Sequence, residues 1–205
     1  MSRIRVHCCA MKQKYELKER ARRQAETRQR IVEAAVDLHT SVGPARTTIS
    51  AIAARAGVER HTVYAHFADE RRLFVACTSH WEARHPFPDP AHWTVHEDPA
   101  RRLRATLGDV YRWYEEVESD LAVFRRDAQV HELNAEVMAG YDRELAGLAD
   151  ELARGWPRRK SIRAAIGHAL AFETWRSLVR REGLTRKQAV DAMLRLVSPD
   201  TGARG

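Results

Sequence analysis

Apolar residues recur at helical spacing along almost the whole chain, and this pattern restricts the fold more than any other feature. One such stripe, with steps of three, four and seven positions from its first residue, is Ile31, Ala34, Ala35 and Leu38. Residues at these spacings share one face of an α-helix. The strict alternation and the Asn-Gly turns that indicate strands and hairpins are nearly absent. The sequence therefore predicts an all-α protein of about nine helices.

The longest interruption of this pattern is rich in proline. Four of the seven prolines lie between residues 86 and 99, and proline cannot continue the interior of a helix. We therefore expect two helical domains, at residues 25–80 and 99–198, joined by a linker at 81–98. Residues 1–24 are expected to form a basic, flexible extension and residues 199–205 a disordered tail.

Basic residues exceed acidic ones, and the excess is concentrated in the first thirty residues. The chain has 35 Lys and Arg against 28 Asp and Glu, which gives a net charge of +7. Such an excess favours a polyanionic partner, because binding to phosphates releases counterions. No apolar run approaches the roughly 20 residues of a membrane span, and no secretory signal is recognisable. A cytoplasmic protein without a membrane partner is expected.

Three cysteines occur, and two of them, Cys8 and Cys9, are adjacent. This number and spacing do not suggest a disulfide framework. Neighbouring ligands near one end of the chain cannot by themselves complete a tetrahedral metal site, so no metal or cofactor is expected. The sequence has no phosphate-binding glycine loop and no nucleophile elbow, which argues against an enzyme. Met11 is an alternative to Met1 as the native start.

Residues 47–67 predict a helix-turn-helix. A first helix stops at Gly57, which suits the tight turn that such a motif requires, and a second helix follows. Ala53 and Ala56 supply small side chains where the two helices would cross. Val63 is the residue of the second helix that we expect to face the core.

With Val63 directed inward on a helical wheel, His61 and Ala65 point away from the core. This outer face would lie in a major groove of DNA. Arg60, at the N-terminal end of the helix, could donate to O6 and N7 of a guanine. Three further side chains are suited to phosphate oxygens, and Thr48 could bind a phosphate together with the free N–H groups of the preceding helix. The three are Thr62, Tyr64 and His66.

These residues, with the preceding TRQRIVEAAVDLHTSVG, closely resemble the TetR family of repressors. The resemblance covers about residues 27–74 and includes the string TT-x-x-x-IA-x-x-AGV-x-x-x-T-V-Y-x-HF. It implies a DNA-binding domain at 25–80, with double-stranded operator DNA, a second copy of the chain and a small-molecule effector as partners. The implied phosphate contacts are Thr48, Tyr64 and His66. The implied base-reading positions are Ser50, Arg60, His61 and Ala65.

The chain departs from the family pattern at two positions. Glu59 stands where many relatives have a serine that caps the recognition helix, and Glu70 stands where relatives often have a lysine. Glutamate is a poorer cap, although its charge suits a helix N-terminus. Arg71 or Arg72 could replace the missing basic contact.

The helices after Pro99 resemble the ligand-binding and dimerisation half of the family in layout only. The last two are expected at about 161–181 and 185–197, and Thr185 with Gln188 has the spacing of a capping box. Aromatic and polarisable side chains in the middle helices predict a ligand pocket. They are Tyr111, Tyr114, Phe124, His131, Met138, Tyr141 and Trp175. Small and apolar stripes predict a dimer interface: Ala165, Ala169, Phe172, Val179, Met193 and Leu196. Either set could instead be core of the single chain, as apolar stripes usually are.

Together these features predict a ligand-released repressor that binds a palindromic operator as a homodimer. An architectural DNA-binding protein without an inducer would carry the same motif, and so would an activator. The sequence leaves the effector and the operator open.

Overall fold

The computed structural model describes residues 3–198, with side chains from residue 15 onward. Every regular element within these residues is helical, which confirms the predicted all-α class. Ten α-helices are present in this part of the chain, close to the expected nine. None of the described helices is both long and apolar enough to cross a membrane. The side chains of Cys8 and Cys9 and the residues 199–205 lie outside the described part.

The chain divides into two compact units, Met1–Arg84 and His85–Gly205. A 3-10 turn at Pro44–Arg46 follows the first helix, and a π-helical turn at Ser177–Arg181 follows the ninth. The first unit contains α1 (Arg3–Ser41), α2 (Ile49–Ala56), α3 (Arg60–His66) and α4 (Glu70–Arg84). The second contains α5 (Ala91–Thr94), α6 (Pro99–Asp127), α7 (Glu132–Leu152), α8 (Lys160–Leu170), α9 (Phe172–Arg176) and α10 (Arg186–Val197).

The core of the first unit is built from the C-terminal part of α1 and the three short helices that follow. Residues 15–30 of α1 are exposed apart from Glu19 and Thr27, which are half-buried, whereas burial begins at Ile31. The buried side chains that these helices contribute include Ile31, Val32, Ala35, Ile52, Val63, Phe67 and Leu73. Residues 15–24, predicted as part of a flexible extension, are helical and continue α1.

The second unit is organised around the long helix α6. Asp98 caps it by accepting a hydrogen bond from the backbone N–H of Arg101 at 2.7 Å, and Pro99 occupies its first turn. The region predicted as a linker contains the end of α4 and the short α5, which buries Trp93. The capping box predicted at Thr185 and Gln188 is confirmed at the start of α10.

The structure differs from the prediction of one continuous helix over residues 161–181. The chain leaves the helical conformation at Ala171, whose ψ is 137°, and resumes it in α9. This break removes the usual backbone donors from the last carbonyls of α8. Two hydroxyls of α6 take their place: Tyr111 donates to the Ala169 carbonyl at 2.8 Å, and Tyr114 donates to the Leu170 carbonyl at 2.6 Å. The sequence could not reveal the break, because its partners lie more than fifty residues away.

Candidate nucleic-acid interface

The turn between α2 and α3 is closed at Gly57. This residue has φ 65° and ψ 42°, a left-handed conformation that favours glycine. The N–H of the next residue, Val58, donates to the carbonyl of Ala53 at 3.0 Å, so the end of α2 is satisfied. Ala53 and Ala56 are both buried. Small side chains and the glycine turn thus bring the two helices into contact, as a helix-turn-helix requires.

Helix α3 is fixed to the core by Val63 and by Phe67 just after its end, which are 1% and 3% exposed. Its opposite face is open to solvent. The exposed residues of α3 are Arg60, His61, Tyr64 and Ala65, and the half-buried ones are Thr62 and His66. The helix therefore presents a polar and basic face about two turns long, a size that fits the major groove.

Arg60 and Tyr64 contact each other on this face. The guanidinium carbon lies 5.7 Å from the centroid of the tyrosine ring. An Arg60 N–H also donates to the Tyr64 hydroxyl over 3.4 Å, near the upper limit of a hydrogen bond. Both side chains are exposed, so this contact is weak. The pair can separate at little cost when a base edge or a phosphate offers a stronger partner.

Thr48 caps the N-terminus of α2. Its hydroxyl oxygen accepts from the backbone N–H of Ala51 at 3.1 Å, which leaves the hydroxyl hydrogen for another acceptor. Ser50 is exposed in the first turn of the same helix. A phosphate near this end would meet hydroxyl groups and free N–H groups together.

The two departures from the family pattern have different structural consequences. Glu59 precedes α3 without making a side-chain capping hydrogen bond. Glu70 is exposed at the first position of α4. Asp69 accepts from the backbone N–H of Arg72 at 2.7 Å, and its other oxygen lies 3.8 Å from the Arg72 guanidinium. Arg72 is therefore already engaged by a carboxylate at this helix start.

Arg28 makes a contact that the sequence pattern did not predict. Its guanidinium carbon lies 4.7 Å from the centroid of the Phe67 ring. Phe67 directly follows α3, so this arginine joins α1 to the C-terminal end of the recognition helix. The only signal in the sequence is the position of Arg28, one helical turn before the first buried residue of α1.

The residues predicted to form a ligand pocket mostly belong to a packed aromatic cluster in the second unit. Tyr111, Tyr114 and Trp175 are fully buried, Met138 is buried, and Phe124, His131 and Tyr141 are half-buried. Burial raises the pKa of the Tyr114 hydroxyl well above its usual value. Tyr141 donates to Tyr114 at 2.9 Å, and the Tyr114 and Trp175 rings lie 5.6 Å apart.

Three further features of this region bear on the predicted pocket. His131 caps α7, since its Nδ1 accepts from the backbone N–H of Asn134 at 3.2 Å. The indole N–H of Trp175 is buried and has no hydrogen-bond acceptor among the described residues. A cavity of about 400 Å³ lies beside α7, α8 and the start of α9, and Arg125 and Arg163 line it. None of the predicted pocket residues is among its lining residues.

The residues predicted for the dimer interface fall into two groups. Ala169, Phe172 and Met193 are buried within the single chain, where a second copy could not reach their side chains. Ala169 and Phe172 flank the break at Ala171, where the hydroxyls of α6 donate to the last carbonyls of α8, and Met193 is buried on α10. Ala165 and Val179 are half-buried, and Leu196 is 51% exposed.

Comparison with known proteins supports the same assignment of the first unit. Residues 31–77 match the model of a family described as bacterial regulatory proteins, tetR family. This match spans the whole helix-turn-helix. No curated protein matches the chain.

Solved structures share the fold over most of the chain. A TetR-like transcriptional regulator from Rhodococcus sp. RHA1 has 20% identity and a TM-score of 0.58, over 87% of this chain and 97% of that one. NalD, the secondary repressor of the MexAB-OprM multidrug efflux pump in Pseudomonas aeruginosa, has 21% identity and a TM-score of 0.60, over 87% and 99%. The fatty acid degradation regulator FadR from Bacillus halodurans has 18% identity and a TM-score of 0.56, over 87% and 97%.

At these identities the solved structures establish the fold, and the family match covers the helix-turn-helix. Residues 31–77, with their glycine-closed turn and open α3 face, match the model of the tetR family of bacterial regulatory proteins, and the chain shares its fold with solved TetR-like regulators.

Proposed function

We propose that this protein is a ligand-released repressor that binds a palindromic operator as a homodimer. The observation that carries the proposal is the open face of α3, on which Arg60 and Tyr64 are exposed opposite the buried Val63. One helix of seven residues reads only a few base pairs. Two copies related by a two-fold axis can place their recognition helices about 34–36 Å apart, in successive major grooves.

Individual residues of this face have distinct roles in the proposal. Arg60 reads a guanine, and His61 and Ala65 face the base edges near the helix centre. Thr62, Tyr64 and His66 donate to phosphates on the groove walls. Thr48 and Ser50 bind a phosphate at the start of α2.

Dimerisation is assigned to the accessible apolar positions of α8, the π-helical turn and α10. Leu196 is the strongest of these, because a half-exposed leucine loses apolar surface to water when a partner covers it. Ala165 and Val179 are the further interface positions. The buried residues Ala169, Phe172 and Met193 support the interface from within.

The effector is assigned to the aromatic cluster around Tyr114 and Trp175. Buried aromatic rings with few polar groups suit a largely apolar ligand, and the Trp175 N–H could donate to an acceptor on it. Two relatives support this chemistry in their own cases, since one represses a multidrug efflux pump and another regulates fatty acid degradation. Effector binding would favour a dimer whose recognition helices no longer match the operator, with coupling that changes affinity about 5–150-fold.

Operator selection with the purified protein tests the DNA part of the proposal. Duplexes enriched from a random pool should contain an inverted repeat. Arg60→Ala should cost about 1–3 kcal/mol and relax the preference at one base pair of each half-site. Arg154→Ala, which removes an exposed arginine of the second unit, is the matched control. Enriched duplexes without an inverted repeat would favour an architectural protein, and unchanged preference in Arg60→Ala would refute the role of Arg60.

Tyr64→Phe provides a second test. It should weaken binding about equally on all operator variants, because a phosphate contact carries no sequence information. Tyr15→Phe removes a hydroxyl from an exposed residue of α1 and serves as control. For the effector, apolar compounds that raise the melting temperature should also release the operator. Stabilisation without release would contradict the repressor mechanism while leaving DNA binding intact.

A further inference from the structure

The exposed N-terminal part of α1 is a charged surface that the helix-turn-helix does not use. Residues 15–30 contain six basic and three acidic side chains. Every residue from 20 to 30 except Thr27 is exposed. At about 1.5 Å per residue, residues 15–30 form a rod roughly 24 Å long that precedes the buried part of the helix.

The charges on this rod are not evenly neutralised. Arg22 is held between Glu19 and Glu26, at 2.9 and 2.7 Å. Within the part of the chain that the structure describes, Arg20 and Arg30 make no ion pair. The excess positive side chains on this helix repel one another, and an anion bound beside them reduces that repulsion.

Three of the arginines share one side of the helix. Arg20, Arg23, Thr27 and Arg30 follow one another at steps of three, four and three residues. At 100° per residue these side chains fall within an arc of about 80°. Arg23 donates from Nε to the backbone carbonyl of Glu19 at 3.4 Å, which leaves its two terminal N–H₂ groups to donate to an anion. The result is a basic stripe, defined here as Arg20, Arg23 and Arg30, with a hydroxyl in its line.

The helix that carries the basic stripe contacts the DNA-reading unit within the same stretch of sequence. Arg28, on another side of α1 between Arg23 and Arg30, places its guanidinium carbon 4.7 Å from the ring centroid of Phe67, just after α3. A recognition helix seated in a major groove brings its ends close to the flanking phosphates. Because α1 contacts the residue that follows α3, phosphates flanking the half-site are the part of the DNA nearest to this segment of α1.

We propose that the basic stripe of α1 is a second DNA-contacting surface, which binds backbone phosphates outside the half-site read by α3. Its partner is double-stranded DNA that flanks the operator. From Arg20 to Arg30 the stripe spans about 15 Å of helix axis, which matches roughly four base pairs of flanking duplex at about 3.4 Å each. The contact adds affinity and salt dependence without adding sequence preference, because it involves phosphates only. It rests on operator binding, which is one part of the proposed function.

The test combines a charge-neutral variant with two lengths of DNA. The triple variant R20Q/R23Q/R30Q retains good helix formers on an exposed face. R143Q/R154Q/R158Q removes three equally exposed arginines of the second unit and is the matched control. Each protein is titrated from about 50 to 200 mM salt against the selected operator, once ending at the half-sites and once with about ten further base pairs on each side.

We expect the wild type and the control to bind the flanked duplex more tightly than the trimmed one. R20Q/R23Q/R30Q should bind both duplexes alike. On the flanked duplex, the slope of log K against log salt for this variant should be shallower than that of the wild type by about 2.7 for each protomer. This value corresponds to three lost phosphate contacts at about 0.9 each. At the same time its preference among operator variants should remain that of the wild type.

Two results would overturn the proposal. One is a wild type that binds trimmed and flanked duplexes equally, which needs no variant at all. The other is a slope for R20Q/R23Q/R30Q equal to that of R143Q/R154Q/R158Q. Either result would leave the operator function standing, whereas a wild type that selects no operator would remove the proposed function itself. Circular dichroism at 222 nm checks that all three proteins have the same helix content.

Discussion

The break between α8 and α9 leads to a graded prediction for three tyrosines. Tyr114→Phe removes the hydroxyl that donates to the Leu170 carbonyl at 2.6 Å and accepts from Tyr141 at 2.9 Å. Leu170 is 0% exposed, and the N–H of Thr174, its expected helical donor, binds the Ala171 carbonyl instead. A buried acceptor left without a donor costs about 1–3 kcal/mol. We expect Tyr114→Phe to lower the free energy of unfolding by that amount.

The neighbouring hydroxyls give a scale for this effect. Tyr111→Phe should cost about the same, 1–3 kcal/mol, because it also leaves one buried carbonyl unpaired. Tyr141→Phe should cost only about 0.5–1.5 kcal/mol, since Tyr114 still donates to Leu170 and no backbone group is left unpaired. Tyr15→Phe, at a position 66% exposed, should change stability by less than about 0.5 kcal/mol.

Urea unfolding followed by tryptophan fluorescence measures this series. Four of the five tryptophans lie in the second unit, so the signal reports mainly on the unit that contains the break. The four variants should share one slope against urea and differ in midpoint. A cost for Tyr114→Phe no larger than that for Tyr15→Phe would refute the reasoning, because it would mean that the hydroxyl does not satisfy the Leu170 carbonyl. A cost for Tyr141→Phe above that for Tyr114→Phe would refute the proposed direction of the hydrogen bonds.

Three further changes test the first unit. Glu59→Asp keeps the charge and adds a good N-cap, so it should stabilise α3 by about 0.5–1 kcal/mol, seen as slower amide hydrogen exchange in that helix. Glu70→Lys should tighten operator binding and steepen its salt slope by about 1 per protomer, whereas Glu132→Lys, the same change at the start of α7, should not. Burial raises the pKa of the Cys77 thiol to about 12, so in a C8S/C9S background the native protein should resist iodoacetamide at pH 8 and react only when urea unfolds it. Rapid alkylation of the native protein would contradict the burial of Cys77. An equal change in operator binding for Glu70→Lys and Glu132→Lys would contradict a phosphate contact near Glu70.

The first unit could be predicted from the sequence because its determinants are local. Gly57 stands at the turn of the helix-turn-helix, which needs a left-handed residue, and Val63 fixes the orientation of α3 by a contact within the same small core. Each feature lies within one or two helical turns of the feature that it explains. A helical wheel set on Val63 therefore places His61 and Ala65 outward without reference to any tertiary contact. The ring contact between Arg28 and Phe67 joins residues 39 positions apart, and the local pattern held no sign of it.

The second unit could not be predicted in the same way, because the residues that determine its structure are distant from one another in the sequence. Ala169 and Phe172 occur at helical spacing in a stripe of small and apolar residues, and such a stripe looks alike whether a partner chain or α6 covers it. What distinguishes the two is the interruption at Ala171, and that interruption is stabilised by hydroxyls 56 and 58 residues away. The hydroxyls of Tyr111 and Tyr114 thus hold the end of α8 against α6, and in the proposed homodimer, whose interface includes Val179 just beyond α9, the Tyr111 and Tyr114 variants should alter dimer dissociation as well as stability.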